Sequence, residues 1–285
     1  MTDTLDTVVA EAMRAAAEQA ILPRFIPGQP IHADYKAAGE AVTAADLACE
    51  LFLTERLTDL IPGAHVIGEE AVARDPSLLD QVGRGTCWII DPLDGTGNFA
   101  RGEQPFGILV ALADQGVPIA GWILDPVSGR LCSARRGSGA WINGERFISP
   151  AAPDHSILKV AVTRLFHDEL HRQQVISVLS SSCKVLDSPR CAADQYPHVA
   201  TGHNDATVFT RTLCWDHAAG VVFLEEAGGV ARRYDGHAYR CNEEDAGLLI
   251  ATDPHRWDLI MQILEDTGIS VSGAHLAQSK ASGNA

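Results

Sequence analysis

Apolar residues recur at Leu5, Val8, Val9, Ala12, Met13 and Ala16 with the spacing of one helix face, and the pattern stops at Pro23, so a first helix is predicted over 5–22. Thr43 stands three residues before Asp46 as a capping pair, and Leu47, Leu51, Leu57 and Leu60 continue a second helix that Pro62-Gly63 ends. Beyond it the texture changes. Val66-Ile67, Cys87-Trp88-Ile89-Ile90, 106–113, 119–124 and a return segment near Leu131 read as strands separated by Gly, Pro and Asp turns. Their short connections predict an antiparallel sheet, to which Asn143-Gly144 adds a hairpin after Ala140-Trp141-Ile142.

Ser149-Pro150-Ala151-Ala152-Pro153-Asp154 is rich in proline and small residues and reads as a linker, dividing the chain into an α+β lobe over 1–148 and an α/β lobe over 149–272. In the second lobe, Lys159-Val160-Ala161-Val162 and Cys183-Lys184-Val185-Leu186 are predicted strands around a helix over 167–179. A helix over 215–227 is stopped by Gly228-Gly229, and a last one covers 257–264. The small, polar end of the chain from Ser270 is predicted to fray, leaving 273–285 as a flexible tail, and no internal repeat is present.

Composition narrows the function classes. With 285 residues and 46% hydrophobic content the chain can bury a sizeable core. A net charge of −15 argues against a nucleic-acid or anionic-membrane partner, although cations held among carboxylates would still admit a small anionic substrate. The seven cysteines are scattered without paired metal-ligand spacing, which points to a reducing cytoplasm. The acidic opening Met1-Thr2-Asp3-Thr4 and the lack of a long apolar run predict neither signal peptide nor membrane span.

The chemistry concentrates in Trp88-Ile89-Ile90-Asp91-Pro92-Leu93-Asp94-Gly95-Thr96, where an apolar strand is read as ending abruptly in two carboxylates. Two acids three residues apart on such a turn can face one cavity and offer Mg²⁺ hard oxygen ligands, with the Leu93 carbonyl beside them. Gly95 and Thr96 then offer N–H groups to a phosphate. The plain alternative makes Asp91 and Asp94 turn formers and Thr96 a cap. Glu69 and Glu70 follow Val66-Ile67 where the backbone leaves a sheet, and Asp216 stands where a helix starts, with solvated charge and N-capping as their plain readings. Asp46 has a capping reading with Thr43. His217 is read as structural, and Cys214 as an inert buried thiol.

Four ordered motifs carry a resemblance: Gly68-Glu69-Glu70, the 88–96 segment, Gly137-Ser138-Gly139-Ala140 before Asn143-Gly144, and Trp215-Asp216 with Ala219-Gly220. With them the chain, from about Lys36 to Asp258, resembles the inositol monophosphatase family of Mg²⁺-dependent, typically lithium-sensitive phosphatases related to fructose-bisphosphatase. The resemblance implies a layered αβαβα sandwich, a homodimer, and two or three Mg²⁺ ions held by Glu69, Asp91, Asp94, Asp216 and the Leu93 carbonyl. It implies further that Gly95 and Thr96 hold the phosphate, that Thr96 and Glu69 help activate the attacking water, that Asp46 bonds nearby, and that Lys36 lies at the edge of the site. Asp94 and Asp216 then also contact substrate.

The departures bear on the substrate. Gly97 replaces a threonine common after Thr96, and Phe209 falls where family members carry the glutamate that recognises inositol. Pro189-Arg190-Cys191-Ala192-Ala193-Asp194 departs from the usual small-residue pattern; Arg190 and Asp194 are candidate contacts to a second charged group, as in histidinol-phosphate phosphatases, with a surface ion pair as the plain alternative. The expected function is hydrolysis of a small phosphate monoester of the inositol-phosphate kind. Histidinol phosphate, a 3′-nucleotidase activity on phosphoadenosine phosphate, and a non-catalytic regulatory protein that keeps the fold are the alternatives.

Overall fold

The computed structural model describes residues 4–36, 41–150, 157–163, 169–243 and 247–266. The first helix, α1 (Thr4–Ala16), continues without a break into a π turn (Ala17–Ile21) and a 3₁₀ turn (Leu22–Arg24). Pro23 has no N–H with which to prolong the α pattern, and the Arg24 guanidinium donates to the Ala20 carbonyl at 2.7 Å. A two-stranded antiparallel element, β1 (Asp34–Tyr35) and β2 (Ala41–Val42), leads to α2 (Ala44–Thr58). Thr43 and Asp46 close the expected capping box on α2.

The main sheet is seven-stranded: β3 (His65–Gly68), β4 (Thr86–Asp94), β5 (Gly107–Asp114), β6 (Val117–Leu124), β7 (Leu131–Arg135), β8 (Gly139–Ile142) and β9 (Glu145–Phe147), side by side in that order. Two short helices interrupt it, α3 (Glu69–Arg74) after β3 and α4 (Thr96–Ala100) after β4. The expectation of an antiparallel sheet is corrected at its edge, where β3 pairs with β4 in parallel. The chain passes through α3 and a 3₁₀ turn (Pro76–Gln81) between them, and so re-enters the sheet from the end where it began. Asn143 and Gly144 adopt φ of 52° and 80° in the β8–β9 turn, as the hairpin reading required.

The strand read over Cys87-Trp88-Ile89-Ile90, with the two carboxylates at its end, runs on through both of them to Asp94. Its register against β5 slips between Asp91, opposite Leu109, and Asp94, opposite Gly107, so β4 carries one extra residue there. In an unbroken strand two residues three apart face opposite sides, and the extra residue resets that alternation. Pro92, which donates no hydrogen bond, falls within the bulge.

The second sheet comprises β10 (Leu158–Val162), β11 (Cys183–Asp187), β12 (Ala206–Phe209), β13 (Val230–Arg232) and β14 (Leu248–Ala251), in the order β11-β10-β12-β14-β13. β10, β11 and β12 run parallel and β14 is antiparallel to both its neighbours. Its helices are α5 (Glu169–Ser180), α6 (Ala192–Ala200), α7 (Cys214–Glu226) and α8 (Pro254–Asp266). Of the predicted linker, Ser149 hydrogen-bonds the Ala227 carbonyl through its N–H at 2.8 Å, while 151–154 lie outside the described residues. So do 167–168 at the start of the helix predicted over 167–179, and the tail from Ser270.

Three apolar clusters hold five layers of helix and sheet together. Trp88, Ile90, Ile108, Val110 and Trp122 meet α1 and α2 on one face of the main sheet. Ile89, Leu109, Ala111 and Ile123, on the other face, meet α6, α7 and the near side of the second sheet. Val160, Val208, Leu249 and Ala251 then pack against α5 and α8. The order helix, sheet, helix, sheet, helix is the layered αβαβα sandwich, and because both sheets are covered twice their inner strands β5, β12 and β14 are apolar at nearly every position.

Candidate active site

The β4 bulge brings Asp91 and Asp94 together, and α7 delivers Asp216 to them from its first turn. Ligand oxygens of these three acids all lie within 4.8 Å of one another. Asp216 is not the helix cap: Leu213 occupies that position and makes no side-chain cap, so the carboxylate is turned into the cleft. Asp91 is 1% exposed, and its Oδ1 accepts the Leu93 N–H at 3.0 Å. Asp94 Oδ2 accepts the Ala193 N–H at 2.6 Å and so fastens the first turn of α6 to the end of β4. Gly107 allows that approach, since a Cβ there would stand 2.6 Å from the Ala193 Cβ.

Glu69 opens α3 and lines the same cleft, its Oε1 accepting from Lys36 Nζ at 2.6 Å; Lys36 also pairs with Glu70 at 2.7 Å. Asp46 serves two partners at once. Its Oδ2 accepts from the Thr43 N–H and hydroxyl, completing the cap, and its Oδ1 faces the Thr96 hydroxyl at 2.9 Å. Thr96 Oγ1 also lies 2.7 Å from the Leu93 carbonyl. One hydroxyl proton cannot serve both acceptors, so donation to Asp46 leaves the Leu93 oxygen available to the cleft. Gly95 turns the chain into α4 at φ 83°, where a Cβ would meet the Pro105 carbonyl at 2.8 Å.

Burial is the first cause that raises Asp91 and Asp216 well above the carboxylate range, reinforced by their acidic neighbours. Asp94 is pushed up to about 6, with burial again the largest cause and the Ala193 N–H opposing it. Burial and mutual repulsion make Asp91, Asp94 and Asp216 costly to ionise together unless a cation stands among them. Hard oxygens from Glu69, Asp91, Asp94, Asp216 and the Leu93 carbonyl form a donor set that suits Mg²⁺.

The cleft has a volume of about 750 Å³. Besides the acids it is lined by Arg190, Arg211, Phe209, Leu213, Tyr35 and Arg101. Arg190 holds a φ of 56°, a conformation uncommon for a large side chain. The structure does not bring Asp194 into the cleft: its carboxylate pairs with Arg130 and His198, each at 3.4 Å. Phe209 is buried, stacked on Tyr196 and edge-on to His217. His217 bonds the Tyr196 hydroxyl at 2.8 Å, and burial holds its pKa down at about 3, so it is a neutral structural residue. All seven cysteines are free and buried, and burial raises the thiol of Cys191, the one facing the cleft.

Two residues escaped the reading of the sequence. Glu50, one helical turn beyond Asp46, accepts the Glu70 N–H at 2.7 Å beneath the site. Its signal was the i, i+4 spacing from Asp46 on one face of α2. Glu226 accepts the N–H groups of Gly137 and Gly139 at 2.7 and 2.6 Å, so the glycine-rich motif clasps the end of α7 at a distance from the carboxylates.

Comparison with known proteins agrees with this geometry. An inositol-1-monophosphatase of Bacillus subtilis is 31% identical over 211 residues, covering 73% of this chain and 78% of its own. The Nus factor SuhB of Escherichia coli K12 is 28% identical, covering 85% and 90%. Among solved structures, the extragenic suppressor protein suhB of Bartonella henselae superposes with a TM-score of 0.79 at 23% identity, over 92% of this chain and 98% of that one. The family model described as the inositol monophosphatase family matches residues 2–268, and the chain belongs to that family.

Proposed function

We propose that the chain is a Mg²⁺-dependent phosphatase that hydrolyses a small phosphate monoester, of the inositol monophosphatase type, over the floor formed by Glu69, Asp91, Asp94 and Asp216. The observation that carries this reading is the convergence of Asp91, Asp94 and Asp216 within 4.8 Å beside the Asp46–Thr96 pair. Mg²⁺, two or three ions when bound, supplies charge neutralisation and a water of lowered pKa. The Thr96 hydroxyl donates its hydrogen bond to Asp46 and offers a lone pair that aligns the water. Glu69, with Lys36 fixing one oxygen, is placed to take the water's proton. The Gly95 and Thr96 N–H groups orient the phosphoryl oxygens. A P–O bond forms to water, the ester P–O bond breaks on the opposite side, and the leaving alkoxide takes a proton from a water of the cleft to depart as the alcohol. Phosphoryl transfer depends chiefly on such positioning and neutralisation, so no protein nucleophile is needed.

A second reading of the substrate is favoured by Phe209. Its ring closes part of the wall, so no carboxylate stands at that point to accept a polyol hydroxyl, and Arg190 lies nearby along the cleft. Histidinol phosphate and 3′-phosphoadenosine 5′-phosphate therefore stand beside inositol 1-phosphate. The test is phosphate release with Mg²⁺ and with EDTA across these three, fructose 1,6-bisphosphate and glycerol 2-phosphate. Mg²⁺-dependent turnover of one far above the rest supports the class and identifies the substrate. No turnover of any transfers weight to the non-catalytic reading, which the Nus factor name of the Escherichia coli relative keeps in view.

A further inference from the structure

Glu69 is the one proposed ligand that rests on a very short helix. α3 spans six residues, and its cap position, Gly68, has no side chain to offer the first turn. The leading N–H groups of a helix have no partner within it, and a buried first turn must find one elsewhere. Here the partner comes from another element: Glu50, 3% exposed on α2, accepts the Glu70 N–H at 2.7 Å. Its other oxygen lies 3.5 Å from Arg74, at the far end of α3. Gly68 makes the approach possible, because a Cβ there would run into the Glu50 carboxylate. The glycine of the Gly68-Glu69-Glu70 motif thus has a steric reason that lies outside its own strand.

The same helix reaches the other half of the site. Asp46 lies four residues before Glu50, on the same face of α2, and holds the Thr96 hydroxyl at 2.9 Å. One rigid helix therefore fixes two elements that leave the sheet side by side, α3 through Glu50 and α4 through Asp46. The parallel pairing of Gly68 with Ile90 sets the third side of that frame.

We propose that Glu50 is a positioning residue for metal binding: by capping α3 from α2 it sets where the Glu69 carboxylate stands relative to Asp91 and to Thr96. Glu50 touches neither substrate nor metal in this arrangement and acts through the α3 backbone. The inference rests on Glu69 being a Mg²⁺ ligand.

The test measures Mg²⁺ affinity by calorimetry, and the Mg²⁺ concentration for half-maximal phosphate release, in wild type, Glu50→Ala, Glu50→Gln and a packing control. That control is Leu53→Ala, in the buried face of the same helix. Glu50→Ala is expected to weaken Mg²⁺ binding by about ten- to a hundredfold, the range found when a group that orients a metal ligand is removed. Glu50→Gln, which keeps an acceptor for the Glu70 N–H, should recover most of the loss. Leu53→Ala should lower the melting temperature and leave Mg²⁺ affinity unchanged. Should Glu50→Ala fail to fold, Gly68→Ala, which displaces the carboxylate sterically, is expected to show the same weakening. Wild-type affinity in a folded Glu50→Ala or Gly68→Ala protein overturns the inference, as does equal weakening in Leu53→Ala. Wild type that takes up no Mg²⁺ overturns the metal reading itself, and this inference with it.

Discussion

Asp91 shows how a single side chain can weaken a fold for the sake of a site. It is buried among Glu69, Asp94 and Asp216, all of its own sign, which raises its pKa. An acid whose folded pKa lies above its unfolded value stabilises the fold below the unfolded pKa and loses that contribution as pH rises through the folded one. Asp94, raised from 3.8 to about 6, makes the metal-free protein less stable across that interval, and Asp91 and Asp216 extend the decline to higher pH. Each such proton sets a slope of at most about 1.4 kcal/mol per pH unit. Urea midpoints in EDTA should therefore fall as pH rises from about 4 to about 6 and go on falling above that, and Asp91→Asn should flatten the fall while removing Mg²⁺-dependent hydrolysis. A midpoint that climbs over that range would contradict the assigned crowding of charge. Thr96→Val is the complementary case: it leaves every carboxylate in place and should lower kcat by about 10²- to 10⁴-fold in a phosphate-release assay. At this scale the sequence was informative where acids sat in motifs. For Asp46 it offered capping and catalysis as rivals, whereas the two oxygens of the carboxylate allow both. For Asp194 it left a substrate contact and an ion pair open, because nothing near it in sequence announces Arg130, 64 residues away.

The elements divide by how many faces they bury. α1 covers the outside of a sheet, shows one apolar stripe, and was legible from it; α2 was legible from its capping pair, but Leu47 and Leu51, read as its apolar face, are exposed, and Ala45, Cys49, Leu53 and Leu57 form the buried side together with Asp46 and Glu50. α6 was not legible: Ala192, Ala193, Gln195, Tyr196, Pro197, Val199 and Ala200 are all buried, so no stripe exists, and Pro197 lies within the helix. β12 and β14, buried at all four positions each, lack the alternation that marks a strand in the same way. The bulge in β4 was hidden because register is a property of two strands, and Pro92 could equally have marked a strand end. The motif glycines had physical uses that only packing discloses. Gly220 lies where the Tyr196 ring of α6 crosses α7, and Gly137 and Gly139 bind Glu226 at the end of α7. Hydrogen bonds to a charged acceptor contribute about 1.5–3 kcal/mol each, so Glu226→Ala should cost about 2 kcal/mol or more in denaturant unfolding. Its kcat should stay near wild type, since the clasp lies away from the carboxylates. A large loss of kcat without loss of stability would mean that the glycine motif serves the site directly.

For the whole molecule, the arrangement of layers decides how the site and the fold depend on each other. Asp91 and Asp94 belong to the main sheet, Asp216 to the central helical layer, and Glu69 to a helix braced from the outer layer. No short segment holds the set, so unfolding any of these layers disperses the ligands. Mg²⁺ should then bind the folded chain alone and stabilise it by RT ln(1 + [Mg²⁺]/Kd), about 2.7 kcal/mol at a free concentration one hundred times Kd. Because the ligands join layers that share one apolar core on either side of α7, the whole transition should move to higher temperature as a unit. Calorimetry with and without Mg²⁺ reads this directly, and Asp91→Asn should show little or no shift. A Mg²⁺-induced rise confined to part of a split transition would mean that the ions bind within one layer, and that the carboxylates of β4 and α7 do not act together. The net charge of −15 adds a control, since divalent cations also screen an acidic surface. Surface screening would survive Asp91→Asn, whereas stabilisation through the site would be lost with it.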